Sequence, residues 1–263
     1  MQGVPGRRLA PAPGVSFRGL VRLLDLLGCG VGAATLWRDV QAMAPDLAPD
    51  PQAAVDAWLE VDETWLSIDG CKQPVAVVLG PQGERRDWCL SGSGHDWSRW
   101  FQDLAARGAQ GLTTDDAPVY GPALDASGLD RQQCAVHMQR TVGRHIRDLD
   151  PDTLTHLDRA LLPVLRRLVR ERPPAAGPIL LELWQVVVQG RVRLDPEVRK
   201  LLQHIVERRH ELVPSQRNPK VPASTHRLEG WFGRFKPRAS LARGLKTETG
   251  VRNFVALMAR GMA

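Results

Sequence analysis

Between residues 58 and 150 the chain changes from one kind of strand connection to another, and this change limits the possible folds more than any other feature. WLEVDETWLSIDG alternates and is rich in large β-formers, QPVAVVLG is a short apolar run, and ERRDWCLSG follows the turn signal Pro-Gln-Gly. Three strands joined by tight turns predict an antiparallel meander. HDWSRWFQDLAARG (95–108) then reads as a helix with Trp97, Trp100, Phe101 and Leu104 on one side and Gly108 as its stop. AQGLTTDD is a short strand and VYGPALDASG a short helix. RQQCAVHMQRTVGRHIRDL starts as a strand around Cys134–Val136 and becomes helical. The order β-β-β-α-β-α-β, with hairpins giving way to crossovers, predicts an α/β fold built on a mixed sheet.

The flanks differ in character. Residues 1–15 are rich in Gly, Pro and Arg and read as a disordered lead-in. Residues 16–43 read as two helices broken at Gly28-Cys29-Gly30, with Phe17, Leu20, Leu23, Leu24 and Leu27 on one face of the first and Leu36, Val40 and Met43 on one face of the second. Helix, glycine turn, helix is the pattern of a DNA-binding helix-turn-helix, and equally of an αα-hairpin packed on a larger domain. Residues 44–57, with three prolines, read as a linker. Residues 151–212 read as wholly helical, with leucines at 154, 157, 161, 165 and 168 and a break at Pro173-Pro174. Residues 213–263 add two more helices around a loop at 239–246.

The formal charge is 35 − 29 = +6, which leans toward a polyanionic partner. Lysine occurs at only five positions, so 35 − 5 = 30 of the basic residues are arginine, a side chain suited to bidentate phosphate contacts. The four cysteines form no CxxC pair, so neither a disulfide framework nor a zinc module is predicted. The apolar run 20–31 carries Arg22 and Asp25 and has no cleavage pattern, so no signal peptide and no membrane span are expected. A reducing cytoplasm follows as the expected compartment.

Several carboxylates stand at the ends of elements. Asp62 lies inside the first strand, within Val61-Asp62-Glu63-Thr64-Trp65. Asp115 and Asp116 end the fourth strand, and Glu229 lies in a late helix among Arg227, Arg234, Lys236 and Arg238. A carboxylate inside a strand that otherwise wants burial is costly without a cation or hydrogen-bond partner. In-line cleavage of a phosphodiester uses acids of this kind, converging from separate elements on two hard divalent ions about 4 Å apart.

VDETWLSIDG, TTDDAPVY and STHRLEGWFGRFKPRASLARGLKT resemble the three acidic motifs of bacterial insertion-sequence transposases of the DDE superfamily. Cys134-Ala135-Val136-His137 further resembles the Cys-x-x-His motif of the Mutator-like group, whose members also carry a helical insertion before the last acid. The resemblance spans roughly residues 58–261, and the second-to-third spacing of 229 − 115 = 114 residues agrees with it. It implies a ribonuclease-H-like mixed sheet over 58–150 and 213–263, an inserted all-helical subdomain over 151–212 and a small N-terminal helix-turn-helix. It also implies that Asp62, Asp115 and Glu229 hold two Mg²⁺ or Mn²⁺ ions, with Asp116 as the alternate to Asp115 and with Glu63 and Asp69 set aside. The partners implied are DNA (transposon terminal repeats and target), with a homodimer or higher assembly forming on it.

Cys134 and His137 read either as ordinary packing and capping residues or, by the resemblance, as residues that shape the site. Arg227, Arg234, Lys236, Arg238, Arg243 and Lys246 crowd around Glu229, with Trp231, Phe232 and Phe235 interleaved to pack the helix, and predict a phosphate-binding surface. His226, one turn before Glu229, reads as a phosphate contact or a cap. The tryptophans read chiefly as core anchors, Trp65, Trp97 and Trp100 foremost. A transposase-derived nuclease or inactive remnant, and a non-enzymatic helix-turn-helix DNA binder, remain as rivals. The latter gives the three acids no reason to meet.

Overall fold

The computed structural model describes residues 16–48, 50, 52–91, 93–241, 245 and 247–261. The expected lead-in 1–15, Arg243 and Lys246 lie outside the described residues. The chain is α/β. Strands β1 (Trp58–Ile68), β2 (Cys71–Leu79), β3 (Arg85–Leu90), β4 (Gly111–Thr114) and β5 (Asp130–Gln133) form one five-stranded sheet in the order β3-β2-β1-β4-β5. β1 pairs antiparallel with β2 and parallel with β4, β2 antiparallel with β3, and β4 parallel with β5, so the sheet is mixed. This arrangement is compatible with a ribonuclease-H-like fold.

Hairpins make the antiparallel half. The β1–β2 turn uses Asp69 and Gly70 at φ 47° and 80°, left-handed values that glycine adopts without strain and aspartate tolerates. The parallel half needs crossovers, supplied by α3 (Gly94–Ala106) and α4 (Tyr120–Ser127). The expected face of α3 is the buried one: Trp97, Trp100, Phe101 and Leu104. Gly108 follows the helix at φ 111°. Where β1 meets β4, Trp58 is paired with Gly111, and a Cβ at Gly111 would sit 2.5 Å from the indole, so only glycine fits there unless the indole moves.

β1 is covered on both faces, and its period of two sorts its side chains between them. Leu59 and Val61 join Trp97, Phe101 and Tyr120 in one core, while Leu66 and Ile68 join Leu228, Trp231, Phe235 and Val255 in the other. The second core is closed by α10 (His226–Leu241) and α11 (Glu248–Gly261). Trp231, Phe232 and Phe235 are buried there, as expected. Trp65 is not a core anchor. It is 57 % exposed, because β1 outruns its cover on the α3 face and its odd residues beyond Glu63 meet solvent.

A third core belongs to the helices between the sheet and α10. These are α6 (His156–Glu171), α7 (Ala176–Val188), α8 (Pro196–Glu207), a 3-10 turn at Arg209–Leu212 and the short α9 (Pro214–Arg217). Leu162, Leu165, Leu180, Leu201 and Ile205 bury against Met138 and Val142 of α5 (Ala135–Asp148). Leu157, expected on the apolar face, is exposed instead, since it stands in the first turn of α6. Asp158 fixes the start of the group: its carboxylate accepts from Thr155 N (2.9 Å), Thr155 Oγ1 (2.6 Å) and Asp195 N (3.1 Å), tying the α6 cap to the α8 cap.

At the N-terminal side, α1 (Phe17–Leu26) and α2 (Ala33–Leu47) form a helix pair. α2 runs through Pro45, past the expected boundary at 43, and lies along α11, with Asn253 Nδ2 donating to Gln41 Oε1 at 2.6 Å. α1 meets α2 and buries only Leu20 and Leu24, leaving Leu23 and Leu27 exposed against expectation. None of the described helices is long and apolar enough to cross a membrane.

Candidate active site

The even-numbered side chains of β1 face α10, and toward its start they are Glu60, Asp62 and Thr64, all buried and all polar. Burying three such groups in a row on a central strand is costly unless each has a partner. Glu60 has one: its Oε1 accepts from Arg227 Nε at 2.7 Å and also from Nη2. Asp62 has only the Glu63 backbone N–H, at 2.9 Å from its Oδ1.

Register brings the second acid beside it. β1 and β4 run parallel with Glu60 opposite Thr113, so two residues further along each chain stand Asp62 and Asp115. There β4 has ended, and Asp115 opens into a turn in which its Oδ1 accepts from Ala117 N at 2.9 Å. Burial first, then the charges of Asp115 and Glu63, push the Asp62 carboxyl from 3.8 up to about 7. On the other face of β1 the buried Tyr120 hydroxyl donates to Glu63. Burial chiefly, with Asp115 adding, raises the Glu63 carboxyl despite that bond.

Glu229 enters from the first turn of α10, held by its N–H to Thr225 O at 3.1 Å. Its carboxylate receives a forked contact from Arg140, Nη1 to Oε1 at 2.7 Å and Nη2 to Oε2 at 3.3 Å. His137 Nε2 is 3.4 Å from the same Oε1. His137 and Arg140 stand one turn apart on α5 and so share a face of that helix.

The strand expected around Cys134–Val136 ends earlier. β5 stops at Gln133, Cys134 is the residue that caps α5, and His137 lies in the first turn. The reason is local: Cys134 N bonds Thr114 O at 2.7 Å, which closes the sheet, and Ala135 N turns away to Ala223 O at 2.9 Å. The Cys134 sulfur, 1 % exposed, receives His137 Nδ1 at 3.2 Å, Thr225 N at 3.4 Å and Thr225 Oγ1 at 3.6 Å. Burial works against the thiolate, but these bonds outweigh it and leave the thiol below its ordinary pKa. The bond to Cys134 comes first among the causes that lift His137 from 6.5 to about 9; burial opposes it, and the charges of Cys134, Asp115 and Asp62 add to it. The structure therefore brings Asp62, Asp115 and Glu229 into the surroundings of one cationic imidazole.

As they stand, no three His, Cys, Asp or Glu side chains among the described residues lie close enough together to hold one metal ion. The donor chemistry nevertheless fits a hard divalent cation. Asp62 and Asp115 are oxygen donors side by side, and the strain on Asp62 is the kind that a cation relieves. Glu229 differs, since Arg140 already neutralises it.

Asp116, the alternate to Asp115, is otherwise engaged. It faces Arg208 Nη2 at 2.7 Å, His204 Nε2 at 3.4 Å and Arg131 Nη2 at 3.8 Å, and Glu211 completes the group at 3.6 Å from Arg131 Nη1. That network joins the sheet to the helical group, and it favours Asp115 as the site acid. Asp69 stands in the β1–β2 turn at the far end of β1 from Asp62.

The expected basic surface divides. Arg227 is held by Glu60 and by the Pro81 carbonyl, which assigns it to the fold and not to an open surface. His226 is exposed at the start of α10. Arg234 and Lys236 are exposed on α10, and Arg238 Nη1 reaches back to the Arg234 carbonyl at 2.9 Å. Arg140 and Thr225 were not picked out from the sequence. The spacing of Arg140 from His137 was the available signal, whereas Thr225 carried none. No protein-family model matches this chain, and no curated protein matches it either.

Proposed function

We propose that this chain is a DDE-type transposase with a ribonuclease-H-like core, an inserted helical subdomain at 151–212 and a DNA-binding helix pair at 16–43. One observation carries the reading. Parallel pairing sets Asp62 beside Asp115 at the point where β4 ends, with Asp62 pushed up to about 7 by burial and by its acidic neighbours, while His137 connects the pair to Glu229. Buried acids crowded together at the point where a strand ends, with a strongly displaced pKa, are candidates for chemistry.

Asp62, Asp115 and Glu229 are the residues that would hold two Mg²⁺ or Mn²⁺ ions. When bound, such ions activate the attacking oxygen and stabilise the leaving one. The chain's own groups set the geometry. The strand pairing fixes Asp62 and Asp115, the Cys134–Thr225 bonds fix the start of α10, and Arg140 and His137 hold Glu229. Arg234, Lys236 and Arg238 offer cations beside that helix for the phosphates of terminal-repeat and target DNA. Work on two DNA ends calls for a homodimer or higher assembly on DNA, in a nucleoid setting.

The test uses a duplex carrying a pre-cut element end. Wild-type protein with Mn²⁺ or Mg²⁺ joins the 3′ end to target DNA, whereas Asp62→Asn and Asp115→Asn lose joining and nicking yet keep DNA affinity. Joining that persists in both variants refutes the assignment. Nicking without joining in the wild type points instead to a nuclease of the same architecture.

A further inference from the structure

Away from the acids, the helical group has a half-open cavity of about 390 Å³ between the end of α6, the start of α7 and the segment 209–217. That is the size of a small-ligand pocket. Sixteen residues line it, and none is an Asp or Glu, while Arg172, Arg209, His210 and Arg217 are among them. The rest of the wall is largely apolar, with Leu181 and Val213 among its members. An apolar hollow lined by three arginines and no acid suits a ligand that has an anion at one end and a weakly polar body at the other.

Arg172 sharpens this. It ends α6 in the left-handed region (φ 47°, ψ 50°), a strained backbone for a side chain of its size, and the strain is supported by the Gln216 side-chain amide donating to its carbonyl. Its Nη1 donates to Ser215 Oγ at 3.2 Å, yet its Nε is buried with no hydrogen-bond partner. No ion pair is formed by Arg172, Arg209 or Arg217 among the described residues. A half-buried guanidinium without a carboxylate is a ready partner for phosphate.

We propose that this cavity receives one unstacked nucleotide, its phosphate on Arg172 and Arg217 and its base against Leu181 and Val213. The polyanion is the DNA of the transposase reading, on which the inference rests for its source. Bases without sequence readout bind by contact with apolar or planar groups, and displacement from the stack costs least where the nucleotide is already unpaired.

Gly177 supplies the decisive variant. It lines the cavity near the start of α7, and a Cβ there meets nothing within 4 Å beyond its chain neighbours, so Gly177→Leu fills the chamber. The full-length chain is titrated with a fully paired duplex, with the same duplex bearing one unpaired 2-aminopurine nucleotide, and with free 2-aminopurine deoxynucleoside monophosphate. Wild type binds the bulged duplex at least tenfold more tightly than the paired one, and the probe's emission changes as it leaves the stack. Gly177→Leu loses that tenfold and the emission change, while its unchanged affinity for paired duplex and its helical circular dichroism show that it folds. Arg217→Gln weakens the bulged duplex severalfold. Equal affinity for the two duplexes, or a preference that survives Gly177→Leu, overturns the proposal, as does displacement of the probe by oleate and not by nucleotide. Binding of the free monophosphate but not of the bulge retains nucleotide chemistry and overturns the DNA source. Failure of the transposase reading is separate: it shows as loss of binding and cleavage on every duplex, while the free-monophosphate arm still reports on the cavity.

Discussion

Asp115 and Asp116 are consecutive residues in opposite surroundings. Asp116 points toward the helical group and meets Arg208, His204 and Arg131, with Glu211 balancing the surplus of positive charge. Asp115 opens toward β1, where it meets Asp62 and finds only a backbone N–H for its own Oδ1. One aspartate is matched because it joins two parts of the fold. The other is set against its like, which costs stability and suits a site that takes up cations. Within a single peptide bond the chain thus changes from an acid crowded against another acid to one matched by bases.

The difference can be broken most sharply at Asp62. Asn at 62 should lower divalent-dependent cleavage about 10³-fold, the loss expected when several kcal/mol of transition-state stabilisation go. The same substitution should raise stability in metal-free buffer. The folded pKa of Asp62 lies above its unfolded value of 3.8, so the folded state holds the proton more tightly. Its contribution is then complete below pH about 4 and is lost as pH climbs through about 7. Melting at pH 8 in EDTA should show Asp62→Asn more stable than wild type by on the order of a few kcal/mol, and at pH 4 the two should converge.

Asp116 should behave in the reverse way. Asp116→Ala leaves Arg208 and Arg131 with Glu211 as the one carboxylate they still share among the described residues. These groups are partly solvated, so the cost is about 2 kcal/mol and not the larger figure of a fully buried pair, and chemical denaturation measures it. Divalent-ion affinity should be unaltered. Arg140→Ala tests the tie on Glu229. Since Arg140 is 58 % exposed, stability should move by less than about 0.5 kcal/mol, while Mn²⁺ binding, read by paramagnetic relaxation, should tighten. Trp65→Ser makes the smallest change, within about 0.5 kcal/mol, because the indole is largely in solvent.

Much of this contrast could be read from the sequence, and the unread part has a common cause. The β-β-β-α-β-α-β order was legible because turn glycines and alternation are local signals, and the face of α3 because four large residues share a 3–4 spacing. Asp62 was legible as a polar group inside an otherwise apolar strand, and Asp115 as one where a strand ends. Trp65 was misread because alternation tells which side a residue faces and not whether a helix reaches far enough to cover it. The same holds for Leu23 and Leu27 on α1, whose apolar stripe is wider than the one helix it meets. Cys134 was misplaced by one element because its last sheet bond comes from the amide of a residue already turning into a helix. The partners of Asp116 and Arg227 lay wholly beyond reach: Arg208 is 208 − 116 = 92 residues away and Glu60 is 227 − 60 = 167. Ion pairs at such separations leave no periodic trace.

The placing of Glu229 so late in the chain has a consequence for biosynthesis. A ribosome adding about 5–20 residues per second makes Asp62 and Asp115 first and reaches position 229 roughly 6 to 23 seconds after position 115. Throughout that interval the nascent sheet carries two crowded carboxylates without α10 to roof them. The half-made protein therefore passes through a period in which two of its acids have been made and the third has yet to be translated, so any activity of the proposed kind must wait until nearly all of the chain exists.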